Sequence, residues 1–254
     1  TPQNTVPEPA AATTARQLCF FVLCKSAETG EFASRLLEDA LAAASLSPAD
    51  RRLATELTYG IVRREITLDA ILRAFVSRGR ESVEPELWSL LRLGAYQLVF
   101  LSGVPPHAAV YETVALTKTA GQPRWSGFVN GVLRAITRSL IDGDENEPSP
   151  QCVPIRDGGY RRFDRELFPA PEAQPVEYFA AAFGFGAWPA GRWYERFGWP
   201  RLLEMGFWFN GVASPCLRVN LLRVDREIIL EDFRGAEIEA VEGRLPESIL
   251  LASP

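Results

Sequence analysis

The sequence predicts a mainly α-helical protein, built as an all-helical bundle, an acidic proline-rich linker and a small α+β segment. Three observations lead to this prediction. Apolar residues recur at helical spacing through residues 14–140, with no strict strand-like alternation. Residues 141–176 are rich in acidic residues and proline, which is typical of a linker. Residues 177–254 mix short helical stretches with weakly alternating ones.

About seven helices with short connections are predicted in the first segment, and local signals mark several of their starts. Ser47 is a predicted N-cap, followed by Pro48 at the first helical position and Asp50 in the first turn. Thr67 and Ser126 are predicted caps of two later helices. Because these signals are continuous, residues 14–140 are expected to fold on their own.

The two ends of the chain differ in character. Residues 1–13 are rich in Pro, Ala and Thr and are predicted to be disordered. Within 177–254, "AWPAGRWYERFGWPRLLEMGFWFN" indicates two short helices separated at "FGWP". Three strands are predicted in "PCLRVNLL", "AEIEAV" and "ESILLA", and a short helix in "DREIILEDFRG". This pattern gives the small α+β segment.

Composition argues for a cytoplasmic protein with no membrane span. The 254 residues contain no uncharged apolar run of 18, which a spanning helix requires. The N-terminus lacks the basic start and apolar middle of a signal peptide, and it also lacks a methionine, so a fragment or a processed chain is expected. The four cysteines show no tight metal-ligand spacing and are expected to be free thiols in a reducing compartment.

Charge is distributed unevenly along the chain, whose formal net charge is −5. Residues 1–140 hold 15 Lys and Arg against 13 Asp and Glu, a net of +2, and the remaining residues have a net of −7. Almost all basic residues are arginine, which suits bidentate phosphate contacts and stacking on bases. A GC-rich genome would give the same bias, and the sequence leaves both explanations open.

The stretch "WSGFVNGVLRAITRSL" holds the basic pair of most interest. Phe128, Val129 and Val132 fall on one helical face, whereas Arg134 and Arg138 share another face at i,i+4 spacing. Such a pair is compatible with a solvated face, and it is equally compatible with a phosphate-binding surface. The candidate RNA-binding residues are therefore Arg16, Arg51, Arg52, Arg63, Arg64, Lys118, Arg134 and Arg138.

Several kinds of chemistry are disfavoured by the residues present. His107 is the only histidine, so a histidine-based metal site or a catalytic triad would depend on this one side chain. Glu112 has no second carboxylate near it, and Cys216 has no accompanying base. The nucleotide-binding patterns G-x-G-x-x-G and G-x-x-x-x-G-K-[ST] are absent. No catalytic, metal or cofactor-binding residue is predicted.

Three segments, "DRRLATELTYGIVRREITLDAIL", "LLRLGAYQLVFLSGVPPHAAVYETVALTK" and "GFVNGVLRAITR", occur in the order and spacing of a known family. They resemble the N-terminal domain of the Sun/RsmB type of 16S rRNA cytosine-C5 methyltransferase, which is similar to the helical RNA-binding factor NusB. The tail "WPAGRWYERFG" with "PCLRVNLLRVDREIILEDF" resembles that family's pre-catalytic segment. One departure is Tyr111, which stands where the family has Asn before Glu112.

The resemblance implies a function for the intact family. A cysteine thiolate attacks C6 of cytosine, S-adenosylmethionine supplies the methyl group to C5, and a second cysteine assists release. The residues for this chemistry would all follow residue 254, so the chain is expected to bind no cofactor and to be inactive alone.

The expected role is that of an RNA-binding front that positions rRNA, with a protein partner as a further possibility for the NusB-like domain. One alternative is a non-catalytic NusB-like RNA- or protein-binding factor in transcription antitermination. Another is a helical interaction domain that never touches RNA, which the acidic net charge favours slightly.

Overall fold

Seven α-helices form the first part of the chain, which confirms the mainly α prediction. The computed structural model describes residues 12–155, 158–211 and 215–251. Its chain divides into two units, the first ending at Asn210 and the second beginning at Gly211. The first seven helices are α1 (Ala15–Thr29), α2 (Ala33–Ala43), α3 (Pro48–Arg63), α4 (Glu65–Phe75), α5 (Pro85–Phe100), α6 (Pro106–Thr119) and α7 (Ser126–Ser139).

The predicted helix caps are confirmed at one position and differ at two. The Ser47 side chain accepts a hydrogen bond from the Asp50 backbone N–H at 3.1 Å and so caps α3. Thr67 lies inside α4, and its hydroxyl donates to the carbonyl of Ala182 instead. The Ser126 hydroxyl lies 2.6 Å from that of Thr117 and forms no cap. Both hydroxyls therefore bond to residues outside their own helices and do not cap the helices in which they lie.

Helix α5 runs through the centre of the bundle, and most of its residues are buried. Gly94 on this helix faces Leu133 on α7 so closely that a Cβ at position 94 would lie 2.5 Å from the Leu133 Cδ1. Glycine costs about 1 kcal/mol relative to alanine inside a helix. Here it allows the two helices to pack closely.

The stretch 141–176 differs from the predicted linker because its described residues pack into the first unit. It contains most of β1 (Leu140–Glu145) together with β2 (Cys152–Pro154) and β3 (Tyr160–Phe163), which form an antiparallel sheet in the order β1-β3-β2. Val153 and Phe163 are fully buried in the core of the helical bundle. The acidic and proline residues of this stretch thus lie mainly in its loops. The buried apolar residues Val153 and Phe163 hold the sheet against the core.

Two further helices complete the first unit. They are α8 (Pro175–Phe183) and α9 (Ala187–Asn210), and α9 is broken at Gly198, where φ is 71°. This break confirms the predicted division at "FGWP". Phe179 and Phe183 stack at 4.9 Å between ring centroids and are fully buried. None of the described helices combines the length and the apolar character that a bilayer crossing requires.

The second unit, which begins at Gly211, has the α+β composition predicted for residues 177–254, but residues 177–210 of that predicted segment belong to the first unit. Strands β4 (Cys216–Arg218), β5 (Ala240–Glu242) and β6 (Ser248–Leu251) form an antiparallel sheet in the order β4-β6-β5. Helix α10 (Arg226–Gly235) lies against β5 and β6. Val219 and Ile249 supply buried apolar side chains.

The predicted disorder of residues 1–13 falls mainly on residues 1–11, which lie outside the described residues. Ala12 is buried beside α1 and α2. The Thr14 side chain accepts a hydrogen bond from the Gln17 backbone N–H at 3.2 Å and caps α1. The burial of Ala12 therefore differs from the disorder predicted at that position.

The four cysteines are free thiols, and their burial predicts very different reactivities. Burial raises the pKa of Cys19 to about 12 and also raises the pKa of Cys24, and Cys152 is buried as well. Because the thiolate is the reactive form, only the exposed Cys216 is expected to react quickly with Ellman's reagent. The native protein should release about one equivalent of chromophore quickly, and Cys216→Ser should abolish this fast phase. A fast phase that persists in Cys216→Ser would contradict the buried positions of the other three.

Candidate nucleic-acid interface

An open groove lies between α6 and α7, with a volume of about 570 Å³. The α6 wall presents residues spaced as one helical face, because positions 107, 110, 111 and 114 follow the i, i+3, i+4, i+7 spacing of two helical turns. Val110 is buried in the floor, while His107 and Tyr111 are exposed. The α6 residues that line the groove are Pro106, His107, Val110, Tyr111 and Val114.

The opposite wall is the polar face of α7. Val129 and Val132 point into the core, as predicted, and this orientation leaves Arg134 and Arg138 exposed. The Arg134 Nε donates to the Asn130 Oδ1 at 3.0 Å, and neither arginine has a carboxylate partner among the described residues. The α7 residues that line the groove are Asn130, Arg134, Thr137 and Arg138. Two arginines of the predicted set are therefore brought together in one wall.

The other predicted residues do not gather with this pair in the groove. Arg51, Arg52 and Arg63 are exposed on α3, where the Arg51 Nη1 donates to the carbonyl of Leu41 at 2.7 Å. Lys118 is exposed in the last turn of α6. These four side chains remain available to solvent, but none of them lines the α6–α7 groove.

Two of the predicted RNA-binding residues have buried or half-buried side chains. The Arg64 side chain is buried, with only 4% of its residue surface exposed, and its guanidinium carbon lies 4.9 Å from the centre of the Phe100 ring. Arg16 is half-buried, and its Nε donates at 2.7 Å to the buried Gln97 Oε1. These contacts occupy both guanidinium groups inside the fold, so we place neither residue in the interface.

A second basic surface, around the loop between α4 and α5, was not predicted from the sequence. Arg73, Arg78 and Arg80 line a cavity of about 560 Å³ there. The Arg78 guanidinium lies 4.4 Å from the Phe128 ring centre, and that of Arg80 lies 4.9 Å from the Trp88 ring centre. Desolvation, followed by the charge of Arg92, lowers the pKa of Arg80 from its usual range. The available signal was the density of arginines in "LRAFVSRGR".

The described residues include no group of three or more His, Cys, Asp and Glu side chains arranged to hold a metal ion. His107 lines the groove without a second such ligand. What the groove does offer is cationic and amide groups on one side and an aromatic ring on the other. These are groups that bind anions and planar rings.

Residues 13–138 match the NusB family. This match covers all seven helices of the bundle except the last residue of α7. These residues therefore form a NusB-family domain, which confirms the NusB-like part of the resemblance.

Similarity to larger proteins extends beyond this domain. The chain is homologous over most of its length to the "Probable ribosomal RNA small subunit methyltransferase B" of Bacillus subtilis, with 29% identity over 235 residues. That alignment covers 92% of this chain and 47% of the relative. A relative of the same description from Synechocystis sp. is 40% identical over 129 residues, which cover 51% of this chain and 29% of the relative. The chain thus spans about half the length, or less, of these relatives.

A solved structure shares the fold along nearly the whole chain. The crystal structure of PH0851 aligns with a TM-score of 0.55 and 15% sequence identity. The alignment covers 98% of this chain and 49% of that one. At this identity the match concerns the fold alone.

Proposed function

We propose that this chain is the RNA-binding part of an rRNA cytosine-C5 methyltransferase and that it positions rRNA for methylation. The homology to proteins described as ribosomal RNA small subunit methyltransferase B supports this proposal, because it continues past the NusB domain into α8, α9 and the second unit. Cytoplasmic rRNA is the proposed partner, and the whole enzyme would act on it where ribosomes assemble.

The observation that carries the proposal is the pair of exposed arginines in the α6–α7 groove. Arg134 and Arg138 present two guanidinium groups on one wall, and no carboxylate among the described residues neutralises them. Exposed arginines of this kind bind phosphate oxygens and supply affinity without reading base sequence. Arg78 and Arg80, on the α4–α5 loop, could add phosphate contacts to the same function.

S-adenosylmethionine is the methyl donor in the family that the chain resembles, but we assign it no site here. Nucleotide-like cofactors bind beyond the carboxyl ends of parallel strands, beside a glycine-rich turn. Both sheets in the described residues are antiparallel and three-stranded. The residues described here therefore do not form a site of this kind, and we derive no step of methyl transfer from them.

A second candidate function is that of a non-catalytic NusB-like factor in transcription antitermination, with RNA or a protein as its partner. The match of residues 13–138 to the NusB family favours it. The homology over 235 residues favours the methyltransferase instead, since that alignment is far longer than the NusB domain. We therefore place the antitermination factor second.

Substituting both arginines tests RNA binding by the groove. The variant Arg134→Gln/Arg138→Gln should bind an rRNA hairpin about tenfold more weakly, because two charged contacts of up to about 1 kcal/mol each are lost. The slope of log affinity against log salt concentration should fall by about 1 for each lost phosphate contact. Fluorescence anisotropy over a salt series measures both quantities. The free energy of unfolding should change by less than about 0.5 kcal/mol, because both side chains are exposed.

The matched control is Arg192→Gln/Arg196→Gln on α9, which removes two exposed arginines at the same i,i+4 spacing. This control should keep nearly the parent affinity. An equal loss in both variants would mean that only total charge matters, which would contradict a specific interface. If Arg134→Gln/Arg138→Gln binds RNA as the parent does, the two arginines are only a solvated helix face and do not bind RNA. Absence of salt-dependent RNA binding by the parent would favour an interaction domain that does not bind RNA.

A further inference from the structure

The α6–α7 groove has an aromatic ring at its rim, and phosphate binding by arginine does not use this ring. Tyr111 is 72% exposed, although it lines the same groove as the buried Val110. No other aromatic ring among the described residues packs against it in the way that Tyr96 stacks on Phe100. Both faces of the Tyr111 ring are thus largely free to receive a planar partner.

The wall opposite Tyr111 can satisfy the polar parts of such a partner. The Asn130 Oδ1 accepts a hydrogen bond from the Arg134 Nε at 3.0 Å, so the two side chains contact each other along α7. The Asn130 amide nitrogen has no partner among the described residues, so it can donate to an acceptor in the groove. Thr137 lines the same wall, and its hydroxyl donates to the Leu133 carbonyl at 2.9 Å. This hydroxyl oxygen remains able to accept a hydrogen bond.

Size and charge narrow the class of ligand. The groove volume of about 570 Å³ falls within the range of roughly 300–1,000 Å³ that is usual for small-molecule sites. Two guanidinium groups without a carboxylate partner among the described residues favour an anion. An exposed aromatic ring beside them favours a planar base. A nucleotide carries both groups, because its base is planar and its phosphate is anionic.

The geometry points to an unpaired RNA nucleotide as the occupant of this groove, with its base stacked on Tyr111 and its flanking phosphates on Arg134 and Arg138. This inference rests on the proposed function, since it names the form of RNA that the same groove accepts. A base inside an A-form duplex already stacks on both of its neighbours, so a loop or bulge must supply the base. Asn130 then faces the edge of that base.

The experiment compares two RNAs and three variants of the full chain. One RNA is a hairpin with a flexible loop that contains 2-aminopurine, and the other is a fully paired duplex with the same number of phosphates. Tyr111→Ala should weaken binding to the hairpin roughly 5- to 100-fold, the range for loss of one base–aromatic stack. It should also remove the preference for hairpin over duplex and the quenching of 2-aminopurine fluorescence on binding. Tyr111→Phe should retain all three properties, because the ring remains.

The matched control is Tyr59→Ala, which removes another exposed tyrosine, 43% exposed, from α3. It should bind both RNAs as the parent does. Tyr111→Ala should also keep the parent's salt dependence, because tyrosine makes no ion pair with phosphate. A reduced salt slope is therefore the signature of the Arg134→Gln/Arg138→Gln variant alone.

The outcomes separate this inference from the proposed function. If Tyr111→Ala keeps its preference for the hairpin while Arg134→Gln/Arg138→Gln weakens binding, the nucleotide site is overturned and RNA binding stands. An equal loss on hairpin and duplex overturns it as well. If the parent binds neither RNA, both proposals fail. If it binds only an acidic polyglutamate peptide, the groove is a protein site and the nucleotide assignment fails.

Discussion

A chain that ends at Leu140 is expected to lose at least about 3–5 kcal/mol of its free energy of unfolding relative to a chain that ends at Asn210. This loss is the cost of removing a single buried aromatic side chain from a core, and the truncation removes several. Domains of this kind have about 5–15 kcal/mol of net stability, so the shorter chain should be marginal at best. The midpoint of its thermal transition should fall by roughly 10 °C or more.

The expectation follows from the aromatic side chains that the later segment adds to the core of the bundle. They belong to the same buried cluster as Leu68, Ile71 and Leu72 of α4. Phe163, for example, lies 6.3 Å from Phe75 between ring centroids. The aromatic residues of this cluster that the truncation removes are Phe163, Phe168, Tyr178, Phe179 and Phe183, and the buried Tyr160 is removed with them.

Hydrogen bonds join the same two parts of the first unit. The buried Thr67 hydroxyl donates to the Ala182 carbonyl at 3.1 Å. The Arg161 Nη1 donates to the Leu98 carbonyl at 3.1 Å. Truncation at Leu140 removes the acceptor of the first bond and the donor of the second. Water can replace these partners only if the α4 and α5 surfaces become exposed, and that exposure adds to the cost.

Circular dichroism melts of the two truncated chains measure the difference. The chain ending at Asn210 keeps the whole first unit, so it should give one cooperative, helix-dominated transition. The chain ending at Leu140 should give a broad transition at lower temperature, with more binding of a hydrophobic dye. Equal midpoints in the two chains would instead support the sequence-based expectation that residues 14–140 fold independently.

The helices of the bundle could be predicted from the sequence because their signals are local. Helical spacing marks the apolar face of each helix, and the Ser47 cap is a contact between residues three positions apart. Thr67 and Ser126 carry the same local signal, but their hydroxyls bond across the fold, to Ala182 and Thr117. A capping signal gives no information on whether a distant partner competes for the same hydroxyl.

The strands between Leu140 and Phe163 could not be predicted because their pairing is not local and the strands are short. β2 has three residues and β3 has four, which is too short for clear alternation. Their order depends on pairing Cys152 with Arg162 across a loop. Acidic and proline residues in the neighbouring turns dominate the composition, so the composition gives no sign that Val153 is buried.

Some features of the candidate site could likewise be predicted from local sequence, whereas others depend on distant residues. The exposure of Arg134 and Arg138 could be predicted, since it depends only on the face of one helix. Burial of Arg64 depends on the Phe100 ring, which is 36 positions away in the chain. The Arg78 guanidinium rests on Phe128, which is 50 positions away. Neither arrangement leaves a signal in a single sequence.

The ion-pair network around Asp69 gives the second prediction of large effect. The Asp69 carboxylate accepts two hydrogen bonds from Arg92, from Nε at 2.7 Å and from Nη2 at 2.9 Å. It also accepts a third, at 2.8 Å, from the Trp88 indole Nε1. The side chains of Asp69 and Arg92 are each only 16% exposed. Arg92 interrupts the apolar run of α5, and this pairing with an acid accounts for its position there.

Asp69→Ala is expected to lower the free energy of unfolding by about 3 kcal/mol, because it leaves the Trp88 N–H unsatisfied and removes the bidentate partner of a largely buried guanidinium. Glu65→Ala is the matched control. Its carboxylate also pairs with Arg92, at 2.7 Å, but its side chain is 52% exposed, so its removal should cost at most about 1 kcal/mol. Urea unfolding of both variants measures the difference. Similar losses in the two variants would mean that Arg92 is held by charge alone, whereas a loss confined to Asp69→Ala shows that the buried bidentate geometry stabilises the contact between α4 and α5.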